Sequence, residues 1–219
     1  MVPELKLAEL LCTRLCHDLT GPIGAVANGA EFLSEEGSDL QGQALELINS
    51  SAAQAVSRLQ FYRKAYGRIN EDGEADLAEQ KKIASDFFAG SKVTLDWPDL
   101  HTTASGVSVS YKMGRLLLNM IVLAQATLLR GGTLAVRIAV QDTMKDISIT
   151  ATGVSIKWDK EIEDALASRT DLTVLTPKTV QAYLTRRLAD ELRATLAWTL
   201  EESSMVLTVR QLLTPPAEE

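Results

Sequence analysis

The sequence predicts an α+β protein in two parts: an N-terminal antiparallel helical hairpin that pairs with a second copy into a dimeric four-helix bundle, then a C-terminal α/β two-layer sandwich. Three observations carry this. Leu7, Leu11, Leu15, Leu19, Pro22, Val26, Ala30 and Leu33 recur at spacings of three and four, the period of one helix face. Leu45, Ile48, Ala52, Val56, Leu59 and Tyr66 repeat that pattern after a single turn, and so short a connection makes the two helices antiparallel neighbours. Beyond residue 75, helical segments alternate with short, largely adjacent strand-like runs, as in a sheet covered by helices on one face.

The first helix is the most informative stretch. At about 100° per residue, His17 lies about 200° around the wheel from Leu15 and therefore faces solvent. Thr13, Gly21, Gly24 and Asn28 lie within about 40° of it. A glycine on an exposed helical face costs about 1 kcal/mol relative to alanine, so two of them leave a low-relief surface that propensity alone would not select. Pro22, five residues after His17, removes one backbone donor and crowds the carbonyl of Asp18, which predicts a bend beside the histidine.

The turn Ser34-Glu-Glu-Gly-Ser-Asp39 follows, with Gly37 as the helix stop and Ser38 or Asp39 as the next cap. Two helices cannot enclose a core alone, so their apolar stripes are expected to meet the same stripes of a second chain, leaving two outward histidines. Equal rise in both helices puts His17 level with Val56 to Gln60, which makes Arg58 its neighbour. Arg68 to Ala75 reads as a linker and divides the chain into 1–75 and 76–219. Helices are then expected over 76–88, 109–129, 159–167 and 178–192. Strands are expected over 93–97, 133–140, 146–151, 195–200 and 205–211, with a frayed tail from Pro215.

Composition excludes several classes. Of 219 residues 46% are hydrophobic and 23% charged, with a formal charge of −7 and no basic block. This argues against nucleic acid or an anionic membrane as the main partner. The apolar run from Leu116 to Leu129 is interrupted by Asn119 and Gln125 and is too short for a bilayer of about 30 Å. The N-terminus lacks the charged and apolar regions of a signal peptide, so a cytoplasmic protein is expected. Cys12 and Cys16, four apart, read as reduced thiols at the edge of a helix core. His101, in a Leu-His-Thr-Thr loop, reads as a surface residue.

These residues also carry a family resemblance. His17-Asp18-x-x-x-Pro22 resembles the phosphoacceptor box of sensor histidine kinases. With Arg14-Leu-Cys-His17-Asp18, Leu59-Gln-Phe-Tyr-Arg63, Ala65-Tyr-Gly67, Thr94-Leu-Asp-Trp97, Gly131-Gly132 and Gln181-Ala-Tyr-Leu184, the chain resembles the ChpT-like histidine phosphotransferases. The resemblance implies that the second part is a degenerate histidine-kinase ATPase-like domain. Asn119 fits the first position of the kinase nucleotide box, but Leu123 stands where a second asparagine would supply an oxygen to magnesium. Ala151-Thr-Gly153-Val-Ser155 lacks the acidic adenine acceptor, and Leu175-Thr-Pro-Lys-Thr179 lacks a glycine-rich lid. Gly153 reads as a strand irregularity.

The function implied is an ATP-independent histidine phosphotransferase. It takes a phosphoryl group from the receiver domain of a hybrid sensor kinase onto His17 and passes it to response regulators. A neutral imidazole is a competent nucleophile near pH 7. Asp18, about 100° from His17, orients the ring or accepts its proton, and Arg14, about 60° away, stabilises phosphoryl charge. Thr13, Gly21, Gly24, Asn28 and Arg58 form the docking surface. No cofactor or metal site is expected, since the receiver supplies Mg²⁺. Gly21 replaces the threonine or asparagine with which kinases of this kind hydrolyse an acyl phosphate, which disfavours a dedicated phosphatase, although the adjacent Thr20 keeps that activity open. Two alternatives stand beside this reading: a non-catalytic receiver-binding adaptor and an ATP-dependent histidine kinase.

Overall fold

The computed structural model describes residues 3–34, 41–67, 73–98, 109–141, 144–167 and 170–212. Two long helices, α1 (Pro3–Ser34) and α2 (Gln41–Tyr66), form the hairpin. Pro22 sits inside α1 and is buried. The stripe expected of α1 faces inward up to Val26, but further along Ala30 is exposed and Gly29 is buried in its place. A Cβ on Gly29 would stand 2.7 Å from Ile48 Cγ1 and 3.2 Å from the Ala44 carbonyl. The helices approach too closely there for any side chain, and a straight helix drifts off a fixed three-four spacing.

The stripe expected of α2 divides. Ile48, Ala52 and Tyr66 are half-buried while Leu45, Val56 and Leu59 are exposed; the buried residues are Ala44, Ser51, Phe61, Tyr62 and Ala65. Cys12 and Cys16 are free and exposed rather than at a core edge.

The second part contains β1 (Glu74–Ala75), α3 (Leu77–Phe88), β2 (Val93–Asp96), β3 (Val109–Ser110), α4 (Tyr111–Gln125), β4 (Gly132–Gln141), β5 (Met144–Thr152), α5 (Lys160–Leu166), α6 (Val180–Glu191), β6 (Thr195–Leu200) and β7 (Ser204–Leu212), with a 3₁₀ turn at Leu172–Val174. Five strands form one sheet in the order β2-β4-β5-β7-β6, while β1 pairs with β3 in a separate small ladder. Only the β2–β4 pair in the large sheet is parallel. Leu134, Val136, Ile147, Ile149, Ala151, Leu207 and Val209 alternate onto the covered face of this sheet. Helix α4 is buried all round from Leu116 to Ala124, as befits a helix between a sheet and other helices.

Element boundaries shifted for identifiable reasons. The residues expected to begin the fourth helix, Val109 and Ser110, pair instead with Ala75 and Glu74 of the expected linker, and the Ser110 hydroxyl caps Met113 N–H. Helix α4 stops at Gln125 because the chain tightens into turns: Thr127 N–H donates to Ala124 O and Leu128 N–H to Gln125 O. Gly131 and Gly132 follow at φ 88° and 149°, where a side chain is strained. A Cβ on Gly132 would also lie 2.2 Å from Thr152 O. Linker residues 68–72, the turn residues 35–40, His101 and the tail beyond Leu212 lie outside the described residues.

The aromatic end of α2 enters the core of the second part. Phe61, fully buried, packs at 4.4 Å between ring centroids on Phe87 of α3. Phe61, Tyr62 and Ala65 share one apolar cluster with α3, α4 and the sheet. This anchoring fixes which face of α2 meets α1, and so positions the histidine.

Candidate active site

His17 projects from α1 with 87% of its side chain exposed, and its Nδ1 lies 3.2 Å from Asp18 Oδ1. A carboxylate only accepts hydrogen bonds, so this pairing puts the proton on Nδ1 and leaves the Nε2 lone pair to solvent. Asp18 is turned toward α2, where its Oδ2 accepts from the Tyr62 hydroxyl at 2.5 Å. The Asp18 carbonyl, which loses its helical donor because residue 22 is proline, accepts instead from Arg58 Nη1. Arg58 therefore does lie level with the turn that carries His17, but it is half-buried and bonded to backbone.

Thr13, Gly21 and Asn28 are exposed, Gly24 is half-exposed, and a Cβ on either glycine would meet nothing within 4 Å. The low-relief face beside the imidazole is present, and among the described residues nothing fills it at Gly21 or Gly24. The Thr13 hydroxyl bonds back to Glu9 O. Arg14 turns to the same side as Asp18: its Nε is buried without a hydrogen-bond partner, and its guanidinium lies against the Tyr66 hydroxyl.

Tyr62 and Tyr66 stack at 5.3 Å, nearly parallel. Burial pushes the Tyr66 hydroxyl up to about 12, with Arg14 opposing and Asp18 adding to the rise. Burial, followed by the bond to Asp18 and its charge, drives Tyr62 further in the same direction. Both tyrosines are thus held as neutral donors.

A continuous set of bonds leads from here into the second part. Tyr66 donates to Gln181 Oε1 at 2.6 Å. Gln181 Nε2 donates to Asn119 Oδ1 at 3.0 Å and to Asn119 O at 3.1 Å. Asn119 Nδ2 donates to Ala65 O at 2.8 Å, while Arg115 donates to Ala65 O and Tyr66 O. The last carbonyls of α2, which a helix end leaves unpaired, are therefore capped by two side chains of α4. Asn119 is fully buried and serves as one of those caps.

The other positions that the resemblance set against nucleotide-binding residues are also taken up internally. Leu123 and Ala151 are core residues. Gly153 is small because backbone approaches it: a Cβ there would lie 2.9 Å from Gly131 O. Before α6 the chain closes on itself, with Thr176 N–H donating to Thr179 Oγ1 and Lys178 pairing with Asp159 at 2.7 Å. Among the described residues no group of three His, Cys, Asp or Glu side chains converges to hold a metal ion, and no helix is long and apolar enough to cross a membrane.

Sequence reasoning assigned no role to Tyr62, Tyr66 or Gln181, although all three stand in the quoted motifs. Two tyrosines four apart at the end of α2 were the available signal, but the rotation of α2 that aims them at α1 is set by Phe61 and Ala65.

The site is thus an outward histidine on a helical hairpin, backed by an aspartate and joined to a helix-covered sheet. The family model for the histidine phosphotransferase C-terminal domain matches residues 77–204. Protein phosphotransferase ChpT of Brucella abortus is 34% identical over 188 residues, 85% of this chain and 87% of that protein. A solved bacterial phosphotransferase aligns over 94% of this chain and 96% of its own with a TM-score of 0.80 and 31% identity. The chain belongs to the histidine phosphotransferase family.

Proposed function

We propose that this protein relays phosphoryl groups between receiver domains through His17, without using ATP. The observation that carries the reading is the exposed imidazole whose Nδ1 is paired with Asp18. In the proposed step the Nε2 lone pair attacks the phosphorus of a receiver aspartyl phosphate; the N–P bond forms, the P–O bond to the acyl oxygen breaks and the carboxylate leaves. The ring keeps its Nδ1 proton, and the positive charge it acquires is met by Asp18. Arg14, one turn earlier, is turned inward against Tyr66, so its charge reaches the transferring group only if the side chain swings out. The reverse step delivers the phosphoryl group to the aspartate of a response regulator. The receiver brings the acidic pocket and Mg²⁺, and the open face formed by Thr13, Gly21, Gly24 and Asn28 receives it.

ATP independence is supported by what Asn119 does: its side chain is spent on Ala65 O and Gln181, so presenting it to a nucleotide would break both bonds. A homodimer is supported by apolar residues that the single chain leaves uncovered, Ile23 at 56% and Leu59 at 58% exposed, together with Val56 and Leu45. Ile23 lies about 120° from His17 around the wheel, so pairing there leaves the histidine free. Sedimentation equilibrium giving a monomer at micromolar concentration refutes the dimer.

The test is a transfer assay with labelled ATP alone and with ATP plus a hybrid kinase and its receiver, for the native chain and His17→Ala. Label that reaches only the native chain, and only through the receiver, is the expected result. Label from ATP alone makes the protein a kinase. Receiver binding without label, with a cognate kinase, makes it an adaptor.

A further inference from the structure

We infer that Tyr62 is a positioning residue for phosphoryl transfer, and that the second domain holds it in place. The inference rests on the reading of His17 as the phosphoacceptor. Asp18 has two oxygens, and each has one protein partner: Oδ1 faces His17 Nδ1 at 3.2 Å and Oδ2 accepts from the Tyr62 hydroxyl at 2.5 Å. A carboxylate on a surface helix otherwise rotates freely between staggered wells. With Oδ2 anchored to α2, only Oδ1 points at the imidazole, which fixes the ring's tautomer and direction.

Tyr62 is suited to that task because it is itself immobilised. Its ring is buried, meets Phe61 edge-on and stacks on Tyr66. Tyr66 in turn is tied to Gln181 of α6, and Gln181 to Asn119 of α4. The orientation of an exposed side chain on the hairpin is thereby set through Asn119 and Gln181, which are more than 100 positions away in sequence. This gives the second domain a part in the chemistry that needs no nucleotide.

Tyr62→Phe tests this, since it removes one hydroxyl and keeps the ring. The direct readout is the ¹⁵N spectrum of the His17 imidazole, which reports the proton's position without any transfer reaction. In the native chain the Nδ1–H tautomer is expected to dominate, and in Tyr62→Phe the population should move toward that of free imidazole. The kinetic readout is transfer from phosphorylated receiver. The rate at saturation should fall about tenfold, the size of one hydrogen bond to a charged group. The half-saturating receiver concentration should stay the same, because a buried hydroxyl does not touch the receiver.

A native chain with mainly Nε2–H overturns the inference without reference to any variant. So does a Tyr62→Phe spectrum equal to the native one. If no phosphoryl group reaches native His17, the relay reading fails on its own, while the tautomer result still decides what Tyr62 does.

Discussion

Replacing Asn119 tests the claim that its side chain serves as a helix cap for α2. The side chain makes two bonds between elements, to Ala65 O and from Gln181 Nε2, and one within α4 to Arg115 O. In Asn119→Ala the partners are not orphaned. Ala65 O keeps Arg115 Nε at 3.2 Å, and Gln181 Nε2 keeps the Asn119 backbone carbonyl. At about 1 kcal/mol net per bond, plus a small cavity, the loss should be about 2–4 kcal/mol. Asn119→Asp is closer in shape but replaces the donor by an oxygen facing two carbonyls at 2.8 Å. In a fully buried site an uncompensated charge costs about 3–5 kcal/mol, so aspartate should be the more damaging replacement. Urea unfolding at fixed protein concentration, followed through tryptophan fluorescence, measures both midpoints. An aspartate variant as stable as the native chain would refute the capping argument. A cation ligand in an open pocket gives the opposite order, because aspartate also supplies an oxygen.

Two further outcomes follow from the site. Gly24→Leu should leave the fold intact, or stabilise it by up to about 1 kcal/mol through helix propensity, because nothing lies within 4 Å of the added Cβ. Calorimetric titration with a receiver domain should nevertheless show about tenfold weaker binding, and unchanged affinity removes Gly24 from the docking face. Stability should also fall on the alkaline side. The unfolded chain releases the Tyr66 proton near 10 whereas the folded chain holds it to about 12, with Tyr62 shifted the same way. Above the unfolded value the unfolded state binds fewer protons, so the stabilisation is complete below pH 10 and is lost as pH rises toward 12. Equal urea midpoints at about pH 9 and pH 11 would contradict this burial.

Much of the site was legible because α1 is a single long helix. Its wheel needs only the period and the apolar residues, and these place His17 outward and Thr13, Gly21, Gly24 and Asn28 beside it before any partner is known. The level of Arg58 followed from equal rise in two antiparallel helices. What Arg58 bonds did not follow, since a helical level says nothing about whether a guanidinium reaches solvent or the carbonyl that Pro22 orphans. On α2 the period alone did not separate two apolar flanks of different destination that share one three-four spacing. Leu45, Val56 and Leu59 are exposed in this chain, and the neighbouring flank with Phe61, Tyr62 and Ala65 is buried. The beginning of α4 was misplaced for a related reason: Val109 and Ser110 gain strand partners from a segment that reads as linker, a non-local pairing invisible to local pattern.

The sequence by itself determined the helical hairpin and the outward histidine with its acidic neighbour. These depend on residue identity and short-range periodicity, which the chain carries locally. Only the tertiary structure decided that Asn119 caps α2, that Gln181 holds Tyr66, and that Tyr62 holds Asp18. Those bonds join residues on α1, α2, α4 and α6. A side chain's partner is set by the rotation and depth at which helices pack, and that is fixed by the whole core rather than by any one segment.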